Sequence, residues 1–254
     1  MRNMNPQTEI ARICAFIGEY LDHNGFGKLI VGLSGGIDSS VSVALAVKAI
    51  GKANVIGVMM PYKGSHPDSL ADATTLAELL GIEHHTVPIT AMTDAYFDAF
   101  EPEASILRRG NWMARTRMCV LYDLSAKHRA LVVGTSNRTE LLVGYFTQHG
   151  DSACAIEPLG HLYKSEVWQL ARELGIPDKI IEKTPTADLW EGQTDEAEIG
   201  MRYHELDRIL YELTELDINF RAGGNLEFAL EKYERVQQLM QNSAFKRNLP
   251  PILD

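Results

Sequence analysis

The sequence predicts an α/β fold: a parallel sheet with helices on both faces, extended by further helices at its C-terminal end. Three observations predict it. Short apolar runs alternate with longer stretches of helical spacing between about residues 25 and 185, the pattern of repeated βαβ units. A Gly-Gly turn joins the first apolar run directly to a helix. Beyond about residue 184 no strand pattern recurs.

Element by element, Ile10, Ile13, Cys14, Ile17 and Leu21 fall at helical spacing, so an amphipathic helix covers roughly residues 6–22. Residues 28–33 read as a buried strand ended by Ser34-Gly35-Gly36, and residues 38–50 as a helix stopped by Gly51. A second strand over 54–60 ends at Pro61, and a helix over 68–80 stops at Gly81. Residues 84–89 read as an edge strand, because Pro88 has no N–H for a ladder. A long helix covers 111–128 and a fourth strand 130–134. Residues 164–174 form a helix capped by Gly175, with Pro177 following. Leu226, Leu230, Tyr233, Val236 and Met240 share one helical face in the C-terminal part, about 195–248.

Composition bounds the function. The 254 residues suit one large domain or two small ones and are read as one, 1–254, with a sizeable core, and 45% apolar and 23% charged residues match an ordinary soluble chain. A net charge of −10 argues against broad binding to nucleic acid or to an anionic membrane, though it allows a local cationic pocket. The stretch 41–60 is broken by Lys48, Gly51, Lys52 and Asn54, too interrupted for a membrane span, and the polar N-terminus shows no signal peptide. Cys14, Cys119 and Cys154 stand far apart without metal-ligand spacing and read as buried thiols in a reducing, cytoplasmic setting. His84 and His85 point to opposite sides of a strand, which argues against a joint metal site.

In open α/β sheets ligands bind beyond the carboxyl ends of the strands. There Ser34-Gly35-Gly36-Ile37-Asp38-Ser39 joins a strand to a helix. The glycines let backbone approach a ligand closely, the hydroxyls add donors, and the helix N-terminus favours an anion. Asp38 would repel phosphate unless a divalent cation bridged the two. The loop lacks the Lys of a Walker A motif and the spacing of the dinucleotide fingerprint. Otherwise it is an ordinary strand–helix turn with Asp38 as its cap.

This string resembles the PP-loop of the N-type ATP pyrophosphatases, which split ATP into AMP and pyrophosphate while adenylating a substrate oxygen. Three further strings narrow the resemblance: Gly110-Asn111-x-x-Ala114-Arg115-Thr116-Arg117-Met118; Gly134-Thr135-Ser136-Asn137-Arg138-Thr139-Glu140 with Gly144-Tyr145-Phe146-Thr147 and Gly150-Asp151; and Pro158-Leu159-Gly160-His161-Leu162-Tyr163-Lys164 with Lys183-Thr184-Pro185-Thr186-Ala187-Asp188-Leu189, Asp195-Glu196 and Glu198-Ile199-Gly200. In this order, from about residue 6 onward, the chain resembles the ammonia-dependent NAD synthetases. The resemblance implies a Rossmann-like sandwich of the adenine-nucleotide α-hydrolase type. It also implies a reaction: deamido-NAD, ATP and ammonia give NAD, AMP and pyrophosphate through an adenylated carboxylate. ATP is a co-substrate and Mg²⁺ the implied metal.

Carried over residue by residue, Gly32, Leu33, Ser34, Gly35, Gly36, Ile37, Asp38, Ser39, Arg117, Thr135, Lys164 and Thr186 are implied to bind ATP. Asp38 and Glu140, at the ends of adjacent strands, are implied to hold the metal. Arg115, Gln148, Ala155, Phe245 and Lys246 are implied to face the dinucleotide. Asp38, Lys164 and Asp151 are the candidate catalytic residues, Asp151 orienting ammonia or accepting its proton. Read alone, Glu140 and Lys164 are solvated residues at helix starts, and Asp151 a loop aspartate. Arg115 and Arg117 diverge by about 200° on a helix and cannot serve one phosphate from one face. Tyr122, Tyr145 and Phe146 either stack on a ring of the substrates or belong to the core.

Phe245-Lys246 stands where the family often has His-Lys, Ala155 where many relatives have Asp, and Ser136-Asn137 where Asp-His is common. These departures suggest an altered substrate pocket. Residues 101–110 and 190–194 lie between elements and are expected to order over bound substrate. The length leaves no room for a fused glutaminase, so free ammonia is the expected donor. Family members are homodimers, and the apolar faces of the 111–128 helix and the C-terminal helices are the expected interface. The competing readings are another PP-loop amidotransferase, a tRNA-modifying ATP pyrophosphatase, and a non-catalytic nucleotide-binding module.

Overall fold

A computed structural model describes residues 2–190, 192–222 and 226–253. The elements run α1 (Pro6–Asn24), β1 (Lys28–Gly32), α2 (Ile37–Ile50), β2 (Val55–Met59), α3 (Pro67–Leu80), β3 (Glu83–Thr86), α4 (Thr90–Phe100), α5 (Ile106–His128), β4 (Ala130–Val133), α6 (Arg138–Val143), α7 (Lys164–Glu173), α8 (Asp178–Ile181), α9 (Asp195–Ile199), α10 (Tyr203–Thr214) and α11 (Leu230–Asn242).

The sheet is wholly parallel, in the order β3-β2-β1-β4. The chain leaves β1 for β2 on one side and later returns to β4 on the other, so the strand order reverses at β1, where a crevice opens between strand ends. Alternation along β1 divides the core. Leu29 and Val31 pack with α1, α2, α3 and α7, while Ile30 joins Ile56, Val58, Val132 and Met113 on the face covered by α5. A third cluster joins Val143 and Tyr163 to Leu206, Ile209, Leu210, Tyr233 and Val236, so the C-terminal helices pack on α6 and the entry to α7. Trp168 touches both this cluster and the main core.

The parallel sheet and its two helical faces agree with the expectation, and β3 is indeed an edge strand. Several details differ. β3 ends at Thr86, and Val87 and Ile89 continue along β2 only through single bonds to Met59 and Pro61 carbonyls. α5 begins at Ile106, capped by Ser105, so half of the segment expected to move is helical. Its start is tied further by Arg108 to Glu101 (3.0 Å) and Arg109 to the Pro102 carbonyl (2.7 Å). α4 and α6 were not expected; α4 buries only Thr93 and Phe97, too few to show a periodic face. Leu226 precedes α11 rather than lying on it, though it packs against the same cluster. The thiols are not all buried: Cys14 and Cys154 are half-buried and Cys119 is exposed.

Candidate active site

The PP-loop leaves β1 and enters α2 with its own hydroxyls holding it. Ser34 and Ser39 Oγ lie 3.0 Å apart, Gly36 N–H donates to Ser34 Oγ (3.2 Å), and Ser39 Oγ donates to the Gly36 carbonyl (3.0 Å). The serines thus shape the loop as well as offering donors. Gly35 sits at φ 75°, and a Cβ there would fall 2.2 Å from the Ser69 carbonyl oxygen. Only glycine meets both demands. Gly36, the N-cap of α2, has no side chain to cap it, which leaves the N–H groups of that first turn to an anion.

Five ionisable side chains meet beside this loop. Lys164, the first residue of α7, is 1% exposed. Its ammonium contacts the Asp38 carboxylate and lies 2.9 Å from Glu140. The Tyr203 hydroxyl donates to Asp195 at 2.9 Å, with Glu140 3.4 Å away. Asn137 Nδ2 donates to Asp38 at 2.9 Å, while its Oδ1 caps α6 at Glu140 N. Deeper still, Asp207 accepts from Thr139 and Ser165, and Thr139 accepts from Lys164 N–H, which fixes the start of α7.

The electrostatics follow from three carboxylates sharing one ammonium. Burial works against the charge on Lys164, but Asp38, Glu140 and Asp195 outweigh it and hold its pKa above the ordinary lysine range. Burial pushes the Glu140 carboxyl up; Asp38 and Asp195 add to this, against Lys164. Burial likewise raises Asp195 and Asp151. Three desolvated carboxylates against one cation is an arrangement that attracts further positive charge.

Two adjoining cavities open here. The smaller, about 150 Å³, is lined by the PP-loop, Thr135, Glu140, Lys164, Lys183, Thr186 and Asp195. The larger, about 520 Å³, runs over the ends of β1, β2 and β4 between Arg117, Met60, Leu121, Trp190 and Lys246. Ser34, Thr135, Tyr145, Asp151 and Thr186 border both.

The expected ATP residues therefore converge, all but Gly35 bordering one cavity or the other. Gly32, Leu33 and Ser34 border the larger cavity, and Gly36, Ile37, Asp38 and Ser39 the smaller. Arg117 reaches the larger cavity with Nε on the Met60 carbonyl (3.0 Å), its guanidinium lowered by burial. Asp151 accepts from Thr147 N–H (2.9 Å). Tyr145 and Phe146 line the larger cavity as well.

The expected dinucleotide residues divide. Lys246 borders the larger cavity, but its Nζ is held by the Gly144 and Phe146 carbonyls (2.8 and 2.9 Å), so it reaches an anion only by leaving them. Arg115 is on the outer face of α5, bonded to the Gln148 carbonyl (3.2 Å), and neither it nor Gln148 borders either of these two cavities. Ala155 pairs its N–H with Val132 beside β4, and Phe245 is 62% exposed. Tyr122 also points outward. Of the second segment expected to move, Glu191 lies outside the described residues. Gln193 is buried, accepting from Leu189 N–H (2.9 Å) and donating to Glu198 (2.8 Å).

Sequence reasoning gave no role to Lys183 and Asn137, although both stand in its motifs, and missed Glu157. Lys183 reaches Ser69 Oγ and Asp72 at 3.2 Å. Glu157 accepts from Ser136 N–H (2.7 Å) and from Cys154 Sγ (3.0 Å), directly behind Gly134. An acid beside Pro158 in an apolar run was the one available signal.

The profile of the NAD synthase family matches residues 9–250. The chain belongs to the NAD synthase family. An NH3-dependent NAD(+) synthetase of Fusobacterium nucleatum is 49% identical over 93% of this chain and 92% of the relative. Among solved structures, an NMN synthetase from Francisella tularensis has a TM-score of 0.88 at 32% identity, covering 99% of this chain and all of that one. An NH3-dependent NAD synthetase from Campylobacter jejuni, complexed with nitrate, has a TM-score of 0.84 at 33% identity, with coverage of 99% and 100%. In this chain the PP-loop, the buried Lys164 between two carboxylates and the larger cavity meet at one switch point.

Proposed function

We propose that this chain amidates deamido-NAD with ammonia at the expense of ATP, through an adenylated carboxylate, releasing AMP and pyrophosphate. The observation that carries the reading is the Asp38–Lys164–Glu140 cluster at the PP-loop, adjoining a cavity large enough for a nucleoside. The adenosine fits the larger, mainly apolar cavity, and the polyphosphate the smaller one, where the α2 N-terminus meets it. Lys164 turns from its carboxylates toward phosphate oxygens as charge develops there. The nicotinate carboxylate then attacks the α-phosphorus, pyrophosphate departs, and ammonia displaces AMP from the acyl carbon. Asp151, its carboxyl raised by burial, takes a proton from the attacking nitrogen.

Mg²⁺ fits the donor set, since Asp38 and Glu140 bring hard oxygens together around the Lys164 ammonium and the cluster is short of positive charge. When bound, it would neutralise charge on the departing pyrophosphate. We read the chain as one synthetase domain working as a homodimer in the cytoplasm, with free ammonia as donor and no nucleic acid or membrane partner. No helix among the described residues is long and apolar enough to cross a membrane. The dimer is supported by Arg115, on the outer face of α5 with its guanidinium on the Gln148 carbonyl, and by the family resemblance that puts the dinucleotide near a subunit interface.

The test is product analysis by mass spectrometry with ATP, Mg²⁺, an ammonium salt and deamido-NAD, with nicotinate mononucleotide in parallel. NAD and AMP formed only when all are present, and lost in Asp38→Ala, is the expected result. Bound but unconsumed ATP would mean a nucleotide-binding module instead. Faster turnover of the mononucleotide would move the substrate assignment and leave the chemistry.

A further inference from the structure

We propose a second metal site, remote from both cavities, in which Glu83, His85 and His128 bind a divalent transition-metal ion of the Zn²⁺ type. Glu83 and His85 are two residues apart on edge strand β3 and so share one of its faces. His85 Nε2 lies 3.0 Å from Glu83 Oε1. His128 is the last residue of α5, and its ring lies beside that of His85, centroids 5.8 Å apart. One ligand atom from each of the three lies within 4.8 Å of the other two. His84, on the opposite face, takes no part and contacts the Ile82 carbonyl just before the strand.

Three physical arguments converge on a cation here. Zinc ligands stand about 2.0–2.2 Å from the ion, so small side-chain rotations close the triad on one, with water completing a tetrahedron on the exposed Glu83 side. His128 Nε2 is buried without a hydrogen-bond partner. A buried polar atom left so is costly, and a metal ion would satisfy it. The carbonyls ending α5 also place partial negative charge beside His128. Two imidazoles and one carboxylate select Zn²⁺ and its neighbours over Mg²⁺, which prefers all-oxygen shells. The site would thus not compete with Asp38 and Glu140 for their ion. A bound ion would clip the end of α5 to the sheet edge, and the same helix lines the larger cavity with Asn111, Ala114, Arg117 and Met118.

The experiment treats the full chain with chelator, then titrates Zn²⁺ against a chromophoric competitor and records the melting temperature and the Co²⁺ absorption spectrum. One equivalent of Zn²⁺, a raised melting temperature and a tetrahedral Co²⁺ spectrum without thiolate bands are expected. His85→Gln and His128→Gln should each weaken binding by more than the roughly 10–100-fold that losing an outer-shell partner costs, and Asp38→Asn should leave it unchanged. His85 and Glu83 lie on an exposed edge, so His85→Gln and Glu83→Gln give the reading even where His128→Gln does not fold. Absence of stoichiometric binding, retention of it in the His85→Gln/Glu83→Gln double variant, loss of it in Asp38→Asn, or thiolate bands would each overturn the proposal.

Discussion

Glu157 shows what one buried acid does behind a nucleotide loop. Both of its oxygens are engaged, one by Ser136 N–H and the other by Cys154. Ser136 precedes Asn137, which holds Asp38, so Glu157 fixes the backbone that positions a candidate metal ligand. Burial, helped by Asp151 and opposed by these two hydrogen bonds, pushes its carboxyl up to about 7 from an ordinary 4.5. The folded protein therefore keeps a proton that the unfolded chain gives up. Stability falls as pH rises between about 4.5 and 7 and then levels off. Glu157→Gln keeps an acceptor for Ser136 and removes the charge. Urea midpoints should show the parent losing about 1–3 kcal/mol relative to the variant across that window, with the two alike below it. Parallel curves for the two proteins would refute this assignment. The same scale explains Lys164: its partners stand 126 and 24 residues away in sequence, so its charge balance is invisible until the chain folds.

At the scale of elements, the PP-loop joins β1 to α2 and also abuts the start of α3, because Gly35 packs against the Ser69 carbonyl. Gly35→Ala adds a Cβ where both backbone angle and space forbid it. Strain of about 1–3 kcal/mol should spread the loop from α3. The expected result is at least a roughly tenfold loss in kcat/KM for ATP, with little change in the circular dichroism of the sheet domain; unchanged ATP kinetics would show the loop free to adapt. Elements with one strongly buried face were legible in the sequence. β1 and β2 are apolar runs, α1 carries Ile10, Ile13, Ile17 and Leu21 inward, and Gly25 and Gly81 end helices in the left-handed conformation. The PP-loop was legible because its chemistry is local. α4 and α6 were not, the first for lack of a buried stripe and the second for having only six residues. The outward placement of Arg115 was half legible. Its divergence from Arg117 follows from helix geometry, but which of the two faces the cavity is decided by packing against Met60.

The whole molecule carries a charge of −10, yet its proposed substrates are anionic. Lys164, Lys183, Arg117 and Lys246 border the cavities, a local cationic lining within that acidic total. Arg115 does not, and along the outer face of α5 it falls in line with Cys119, Tyr122 and Ala126, spaced four, three and four residues apart and all exposed. Only Gly110, Met113 and Ala114 of this 23-residue helix are buried. A helix so long with so little burial, and with Tyr122 40% exposed, suits packing against a second copy. A two-fold contact along this stripe would bring Arg115 and Gln148 of each copy to the interface, where a dinucleotide too long for one cavity extends. Sedimentation at micromolar concentration should therefore show a dimer. Tyr122→Arg should shift it toward monomer without loss of helical content, because the side chain is 40% exposed on the outer face of α5 and an arginine there can reach solvent. The monomeric variant should bind ATP as the parent does but show a raised KM for deamido-NAD. A monomeric parent, or a dimer indifferent to Tyr122→Arg with unchanged KM, would place the dinucleotide wholly within one chain.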